Sequence, residues 1–299
     1  MFDQFFIIDF PAMVIVTLAS VLCAILGSFL VLTKQAVMID AISHSVLPGI
    51  VVGVLLSGSF SIIYVMSGAL ISAMIAVLLV YIFQRWGGIE QGAAIGAVFT
   101  AMFALGVVLL ETQVGSRIHL DTQHVLYGAL ELTYWSEPFE WDSMPTQIKT
   151  LFALLIITII FLFTFFKELR LTTFDSLYSE VIGYKPYLFK LILLILTALI
   201  AVACFEATGS ILVIALFICP AAAARMYCDN MVNQILLSAV ISVICAISGY
   251  LSSALLPLWI GFDATVNSAS VIALYSGLFL IISIITSSKH GILGKLNRK

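Results

Sequence analysis

Charge is scarce in this chain. Only 10% of its 299 residues are Asp, Glu, Lys or Arg, against about 25% in a typical soluble domain. Hydrophobic residues make up 62%, and the mean hydropathy is +1.18. That balance excludes soluble enzyme folds. It predicts an all-α, polytopic integral membrane protein with about eight or nine transmembrane helices, a single membrane domain over 1–299 with no separate soluble domain.

Other absences narrow the function. There is no G-x-x-x-x-G-K-[ST], so the chain carries no nucleotide-binding loop of that kind. There is no H-E-x-x-H, which disfavours a zincin-type membrane protease. No arginine-rich span suggests a voltage sensor. The net charge of −3 comes with no basic run, so nucleic acid is not an expected partner. The five cysteines, Cys23, Cys204, Cys219, Cys228 and Cys245, form no C-x-x-C and sit mostly in apolar runs. They read as small apolar residues of spans. The N-terminal stretch lacks a basic region and carries Asp3 and Asp9 instead. Its apolar run from Pro11 to Leu32 is too long for a signal-peptide core and is expected to be a retained span.

A spanning helix needs about 20 apolar residues. Nine segments qualify: 11–33, 36–57, 60–83, 93–110, 148–166, 187–205, 208–227, 232–256 and 267–287. The fourth is short, and the last two are interrupted by Gly and Pro. Basic residues set the orientation. With the N-terminus outside, the inner loops and tail hold Lys34, Arg85, Lys167, Arg170, Lys185, Lys190, Arg225, Lys289, Lys295, Arg298 and Lys299. The outer loops hold only Arg117 and Lys149. The C-terminus is therefore expected in the cytoplasm.

Two polar segments stand out. The outer one, 111–147, carries Glu111, Asp121, Glu131, Glu137, Glu140 and Asp142, with Trp135 and Trp141 as interfacial aromatics. Such a face attracts cations or is simply solvated. The inner one, 167–186, contains Phe174, Leu177, Tyr178 and Val181 at i, i+3, i+4 and i+7, one apolar stripe of a helix. Thr173 or Asp175 is placed to cap that helix, and Gly183 to stop it. A short amphipathic helix on this side either lies on membrane lipid or docks in a partner's groove.

The most informative stretch is Met38-Ile-Asp-Ala-Ile-Ser-His-Ser-Val-Leu-Pro-Gly49. Asp40 and His44 are four residues apart inside a hydrophobic run, hence on one helix face. Ionisable residues inside a membrane helix are costly and usually functional. A carboxylate oxygen with an imidazole nitrogen is a ligand set for a divalent transition metal. Counted from Lys34 at about 1.5 Å per residue, Asp40 lies about 9 Å and His44 about 15 Å into the span, the latter near the midplane. Beside them Ala41, Ser45, Gly49 and Gly53 form a small-residue stripe, which permits close helix packing. One Asp and one His give two ligands; two copies across a two-fold axis give four. The alternative is a buried polar pair bonded to neighbouring helices.

The remaining histidines carry less. His119 and His124 flank Asp121 in the outer segment, where a metal entry site competes with a solvated loop. His290 reads as a solvated charge in the basic tail. Glu206, in Phe-Glu-Ala-Thr-Gly-Ser, reads as a cap in a turn between spans or a pore-mouth carboxylate. Asp263 reads as a turn residue.

Several stretches, in order along nearly the whole chain, carry a family resemblance. They are Gly27-Ser-Phe-Leu-Val-Leu32, the Asp40-Ala-Ile-Ser-His-Ser-Val-Leu-Pro-Gly49 string, and His119-Leu-Asp-Thr-Gln-His-Val-Leu-Tyr-Gly128. Then come Phe174-Asp175 through Gly183, and Gly209-Ser-Ile-Leu-Val-Ile-Ala-Leu-Phe-Ile-Cys-Pro-Ala-Ala-Ala-Ala224. The chain resembles the permease subunit of bacterial manganese/zinc/iron-type metal ABC transporters. Cys219 stands where an aliphatic residue is expected and Ala223 where Thr is frequent, neither at a ligand position. The resemblance implies an all-helical permease of the cytoplasmic (inner) membrane that pairs with a second permease, identical or related. It implies a cytoplasmic ATPase docking on 170–183, an extracytoplasmic metal-binding protein, and Asp40 and His44 as metal residues. No permanently bound cofactor is implied; the metal, Mn, Zn or Fe, is cargo. Rival readings are a permease for a chelated metal such as a siderophore or haem, a proton-coupled secondary transporter using Asp40, and an intramembrane enzyme.

Overall fold

The computed structural model describes residues 7, 9–57, 62–114, 130, 133–135, 143–260, 266–287 and 291. His119, Asp121, His124, Asp263 and His290 lie outside the described residues, with most of the acidic segment 111–147 and the basic tail.

In hydrocarbon, backbone N–H and C=O groups must be satisfied within their own segment, so long apolar runs become helices. The elements are α1 Phe10–Leu32, α2 Met38–Ser45, α3 Leu47–Ser57, α4 Ile62–Arg85 and α5 Gln91–Leu109, which continues as a π-helical turn, Leu110–Val114. They are followed by α6 Thr146–Phe174, α7 Ser176–Val181, α8 Pro186–Thr208, α9 Ser210–Tyr227, α10 Met231–Ile260 and α11 Ser268–Thr286. Among the described residues, nine segments are long and apolar enough to cross a membrane, with α2 and α3 together making one. Each coincides with one of the nine expected from the sequence.

Four details differ from expectation. The fourth span is not short: with part of the π-helical turn it covers the 22 residues Gln91–Thr112. The fifth does not stop at 166. α6 continues to Phe174, with a kink at Phe165 (φ −109°, ψ 16°) that follows Thr164, whose Oγ1 donates back to the Ile160 carbonyl. Glu206 lies inside the last turn of α8 rather than in a turn, and it caps nothing. The turn is made by Gly209, whose φ of +85° falls in the left-handed region that Gly enters without steric cost. Trp135 is packed inside the protein, 4% exposed, stacked on Phe10 at 6.4 Å, with its indole N–H donating to Ser143 Oγ at 3.0 Å.

The chain divides into two compact units. Unit 1 comprises Met1–Ala36, His124–Thr164 and Ala203–Lys299. In it α1 packs on α9 and α10, and α11 packs on both of these. Ile15, Leu22, Leu26, Phe29, Leu212 and Leu216 are inaccessible to solvent. Gly27 permits the close approach of α1 to α9, because a Cβ there would run into the Phe217 carbonyl. Interhelical polar contacts include Ser238 Oγ donating to the Ala24 carbonyl at 3.2 Å and Tyr250 OH to Asp9 Oδ1 at 3.0 Å. All five cysteines are free thiols; Cys23, Cys204 and Cys245 are buried, as expected for apolar packing.

Unit 2 comprises Val37–Gln123 and Phe165–Val202. Here α2 and α3 pack on α4 and α5, and α4 packs on α5. This unit holds Asp40, His44 and α7.

Candidate functional site

The span that carries Asp40 and His44 is broken. Pro48 has no N–H to give to the His44 carbonyl, so the helical ladder cannot run through it. α2 ends at Ser45, Val46 intervenes, and α3 starts at Leu47. The ladder is interrupted at this point while Val46 itself keeps helical φ/ψ (−69°, −30°), and Ile50 N–H again donates to the Val46 carbonyl at 3.1 Å.

One side of this broken span is closed by packing. Ala41, Ser45, Gly49 and Gly53 are all buried. A Cβ on Gly49 would strike the Gly68 carbonyl of α4, and one on Gly53 the Tyr64 carbonyl. Ser72 of α4 donates its hydroxyl to the Ser45 carbonyl at 2.6 Å, beside the break. The small-residue stripe therefore seats α2 and α3 backbone to backbone on α4.

The other side is open. The Asp40 and His44 side chains remain 49% and 33% exposed. His44 Nε2 lies 3.6 Å from Asp40 Oδ1. That is too long for a hydrogen bond, but it lets both atoms face a common third one. Among the described residues, no three His, Cys, Asp or Glu side chains gather as a metal cluster. The pair offers one anionic oxygen and one nitrogen, an incomplete shell suited to brief contact with a cation rather than permanent retention. The helical rise does not run from Lys34. Residues 33–37 are irregular, with Lys34 at φ +59°, and α2 starts only at Met38. Along the helix, His44 is about 9 Å from the start and Asp40 about 3 Å.

Sequence reasoning missed what stands behind His44. Its imidazole meets the Phe99 ring at 5.2 Å (64°) and the Phe103 ring at 5.7 Å (84°), both edge-to-face. Phe99 and Phe103 stack at 6.1 Å (21°). Both belong to α5, and their i, i+4 spacing was the available signal. In an apolar helix it is indistinguishable from ordinary lipid or core spacing.

The second feature of unit 2 is α7. Asp175 caps it, its Oδ1 accepting from the Tyr178 N–H at 2.9 Å. Gly183 ends it at φ +97°, as expected. The predicted stripe is real and outward: Phe174 and Tyr178 are exposed, and Leu177 and Val181 are 76% and 85% exposed. Six residues give about 9 Å of helix, far short of a bilayer. The Arg85 guanidinium lies 4.6 Å from the Tyr187 ring centroid, tying the end of α4 to the start of α8 in the same unit.

Comparison with known proteins places the whole arrangement. Residues 6–286 match the ABC 3 transport family. The manganese transport system membrane protein MntD of Bacillus subtilis is 35% identical over 246 residues, 81% of this chain and 83% of that protein. The zinc transport system membrane protein TroD of Treponema pallidum is 35% identical over 280 residues, 93% and 74% of the respective chains. A solved structure of PsaBC from Streptococcus pneumoniae in complex with Fab superposes with a TM-score of 0.74. It has 25% identity and covers 96% of this chain and 94% of that one. An inward-facing putative metal-chelate type ABC transporter shares the fold at a TM-score of 0.71 and 14% identity. With nine apolar spans among the described residues and no G-x-x-x-x-G-K-[ST] loop in its sequence, this chain belongs to the ABC 3 transport family as a membrane-spanning permease.

Proposed function

We propose that the chain is the permease of an ATP-driven importer for a divalent transition metal ion, manganese, zinc or iron, with Asp40 and His44 as its transient ligands. The observation that carries this reading is the Asp40–His44 pair itself: an oxygen and a nitrogen 3.6 Å apart, on side chains 49% and 33% exposed, on a span whose opposite side is closed by glycine contacts. A half-exposed carboxylate cannot face hydrocarbon without large cost, so that face needs water, a cation or a polar partner. The names of the relatives, manganese and zinc systems, point the same way. Asp40 supplies the anionic oxygen and His44 the neutral imidazole nitrogen, a set that suits all three metals.

Two ligands make half a site. A second permease, identical or related, supplies the rest across a two-fold axis. An extracytoplasmic metal-binding protein delivers the ion from outside, and a separate cytoplasmic ATPase supplies the energy; the permease itself is not an enzyme. The exposed stripe of α7 is the docking surface for that ATPase. In this reading α7 and the C-terminus lie on the cytoplasmic side of the bacterial inner membrane and the N-terminus outside, which the eleven-to-two basic asymmetry and the nine apolar spans among the described residues support.

The test is uptake of radiolabelled manganese and zinc by cells carrying the assembled transporter. Asp40→Asn keeps the shape and removes the charge; His44→Ala removes the nitrogen. Each is expected to lower uptake more than about tenfold, the loss of one charge-assisted ligand contact, with the complex still assembling. An Asp40→Asn transporter that assembles and imports at the parent rate would falsify the ligand assignment.

A further inference from the structure

We infer that Phe99 and Phe103 are positioning residues for the metal step: together they hold the His44 imidazole in the orientation that presents Nε2 toward Asp40. The inference rests on the ligand reading above and adds to it two residues that are themselves no ligands. Phe99 and Phe103 are one helical turn apart on α5, so their rings rise from one face. They stack on each other at 21° and make a single apolar wall. The imidazole stands against both rings at 64° and 84°, the edge-to-face geometry that aromatic quadrupoles favour. α2 approaches α5 at this point and α4 through its small-residue stripe, so the imidazole is held from the α5 side while a third of the side chain stays exposed.

The consequence is chemical. A histidine on a half-exposed helix face normally samples several rotamers, and only some bring Nε2 within 3.6 Å of the Asp40 carboxylate. The two rings remove the others. They also occupy one side of the site with groups that offer no ligand atom and hold no water. An incoming ion is therefore met by a fixed nitrogen and a fixed oxygen, and the freedom that would be lost on binding is already gone.

The experiment uses the complete transporter with its ATPase. Phe99→Leu and Phe103→Leu keep the apolar volume and remove the ring; Phe103→Tyr, at an exposed ring, keeps it. Each leucine variant is expected to raise KM for manganese uptake by about 2- to 12-fold, the affinity equivalent of one edge-to-face contact. Maximal rate should stay within about twofold, because the ligands remain. Phe103→Tyr should restore the parent KM. Cobalt(II), added to purified transporter as a spectroscopic probe, should show a visible band that His44→Ala abolishes, the leucine variants displace and Phe103→Tyr preserves. The proposal is overturned if the leucine variants keep the parent KM and cobalt spectrum, if leucine and tyrosine variants behave alike, or if neither leucine variant assembles, which would make both rings plain packing. If His44→Ala imports at the parent rate, the ligand reading itself fails. If His44→Ala is dead and the leucine variants are unchanged, only the positioning role fails.

Discussion

Unit 1 and unit 2 both bring transmembrane helices together through a glycine that meets a backbone carbonyl. Gly27 of α1 sits against Phe217 of α9, and Gly49 of α3 sits against Gly68 of α4. Beyond that contact they diverge. α1 is unbroken for 23 residues, and 72% of its most apolar stretch is buried. The equivalent span of unit 2 has its helical ladder interrupted at Val46 and keeps an aspartate half exposed and a histidine one-third exposed. In unit 1 the buried hydroxyls close onto carbonyls of intact helices; in unit 2 Ser72 reaches a carbonyl next to the break. The lesson is that close packing and an open polar face occur on one helix, turned about 100° per residue, so that a framework can be rigid on one side and chemically available on the other.

The largest expected effect breaks the shared feature. Gly27→Val and Gly49→Val each force side-chain atoms onto a backbone oxygen that cannot move aside. Overpacking of this kind costs about 1–3 kcal/mol or more. Both variants should lose most membrane-inserted, detergent-stable protein, read by fluorescence-detected gel filtration. Gly92→Val is the control: nothing lies near a Cβ there, so it should keep the parent profile. A Gly49→Val protein that is as stable as the parent would remove the backbone-to-backbone seating of α3 on α4, and with it the contrast between the two sides of that span.

How much of this was legible in the chain follows the same division. The nine spans were readable because each is a run of about 20 apolar residues, and the bilayer leaves such runs no other structure. Asp40 and His44 were readable because ionisable residues are rare there. The cap at Asp175 and the stop at Gly183 were readable because their chemistry is local. Span ends were less so: α6 overruns 166 since Lys167, Glu168 and Arg170 are good helix formers whatever the solvent. Glu206 was misplaced in a turn because a single carboxylate beside Thr and Gly resembles a cap. What could not be read was which phenylalanines among 21 stand behind His44. That pairing spans 55 to 59 residues and leaves no periodic trace, because every face of α5 is apolar. The division into two units was equally silent, since both are built from apolar spans with few charges.

An intermediate effect distinguishes two exposed apolar stripes. In unit 1, α10 exposes Leu236, Val240, Ile244 and Leu251, a face fit for lipid along a 30-residue helix. In unit 2, α7 exposes Leu177 and Val181 on a helix too short to span. Leu177→Glu with Val181→Glu should leave insertion unchanged and abolish co-purification of the ATPase, and metal uptake with it. Leu236→Glu with Val240→Glu should instead reduce insertion, at about 2–4 kcal/mol per charge placed toward lipid. Undiminished ATPase co-purification with the α7 variant would end the docking assignment.

The smallest effect is the sharpest test of the comparison. Ser238→Ala and Ser72→Ala each delete one interhelical hydroxyl-to-carbonyl bond, of 3.2 Å in unit 1 and 2.6 Å in unit 2. Such bonds contribute about 0.6 kcal/mol on average between membrane helices, so both variants should lower the unfolding midpoint by only a degree or two for a chain of this size. Their functional consequences should separate. The Ala24 carbonyl also accepts from Ser28 within α1, so the loss of Ser238 leaves it partnered and leaves α1 straight. Pro48 leaves the neighbouring His44 carbonyl without its helical N–H, and next to it the Ser45 carbonyl accepts from Ser72, which ties the end of α2 to α4. Without that bond the His44 and Asp40 side chains lose part of their shared aim. Ser72→Ala is expected to raise KM for metal uptake about two- to threefold, the equivalent of that bond, while Ser238→Ala keeps the parent KM. Equal kinetics from the two variants would mean that the break in unit 2 is as rigid as the unbroken helix of unit 1, and that the open face of α2 owes nothing to Ser72.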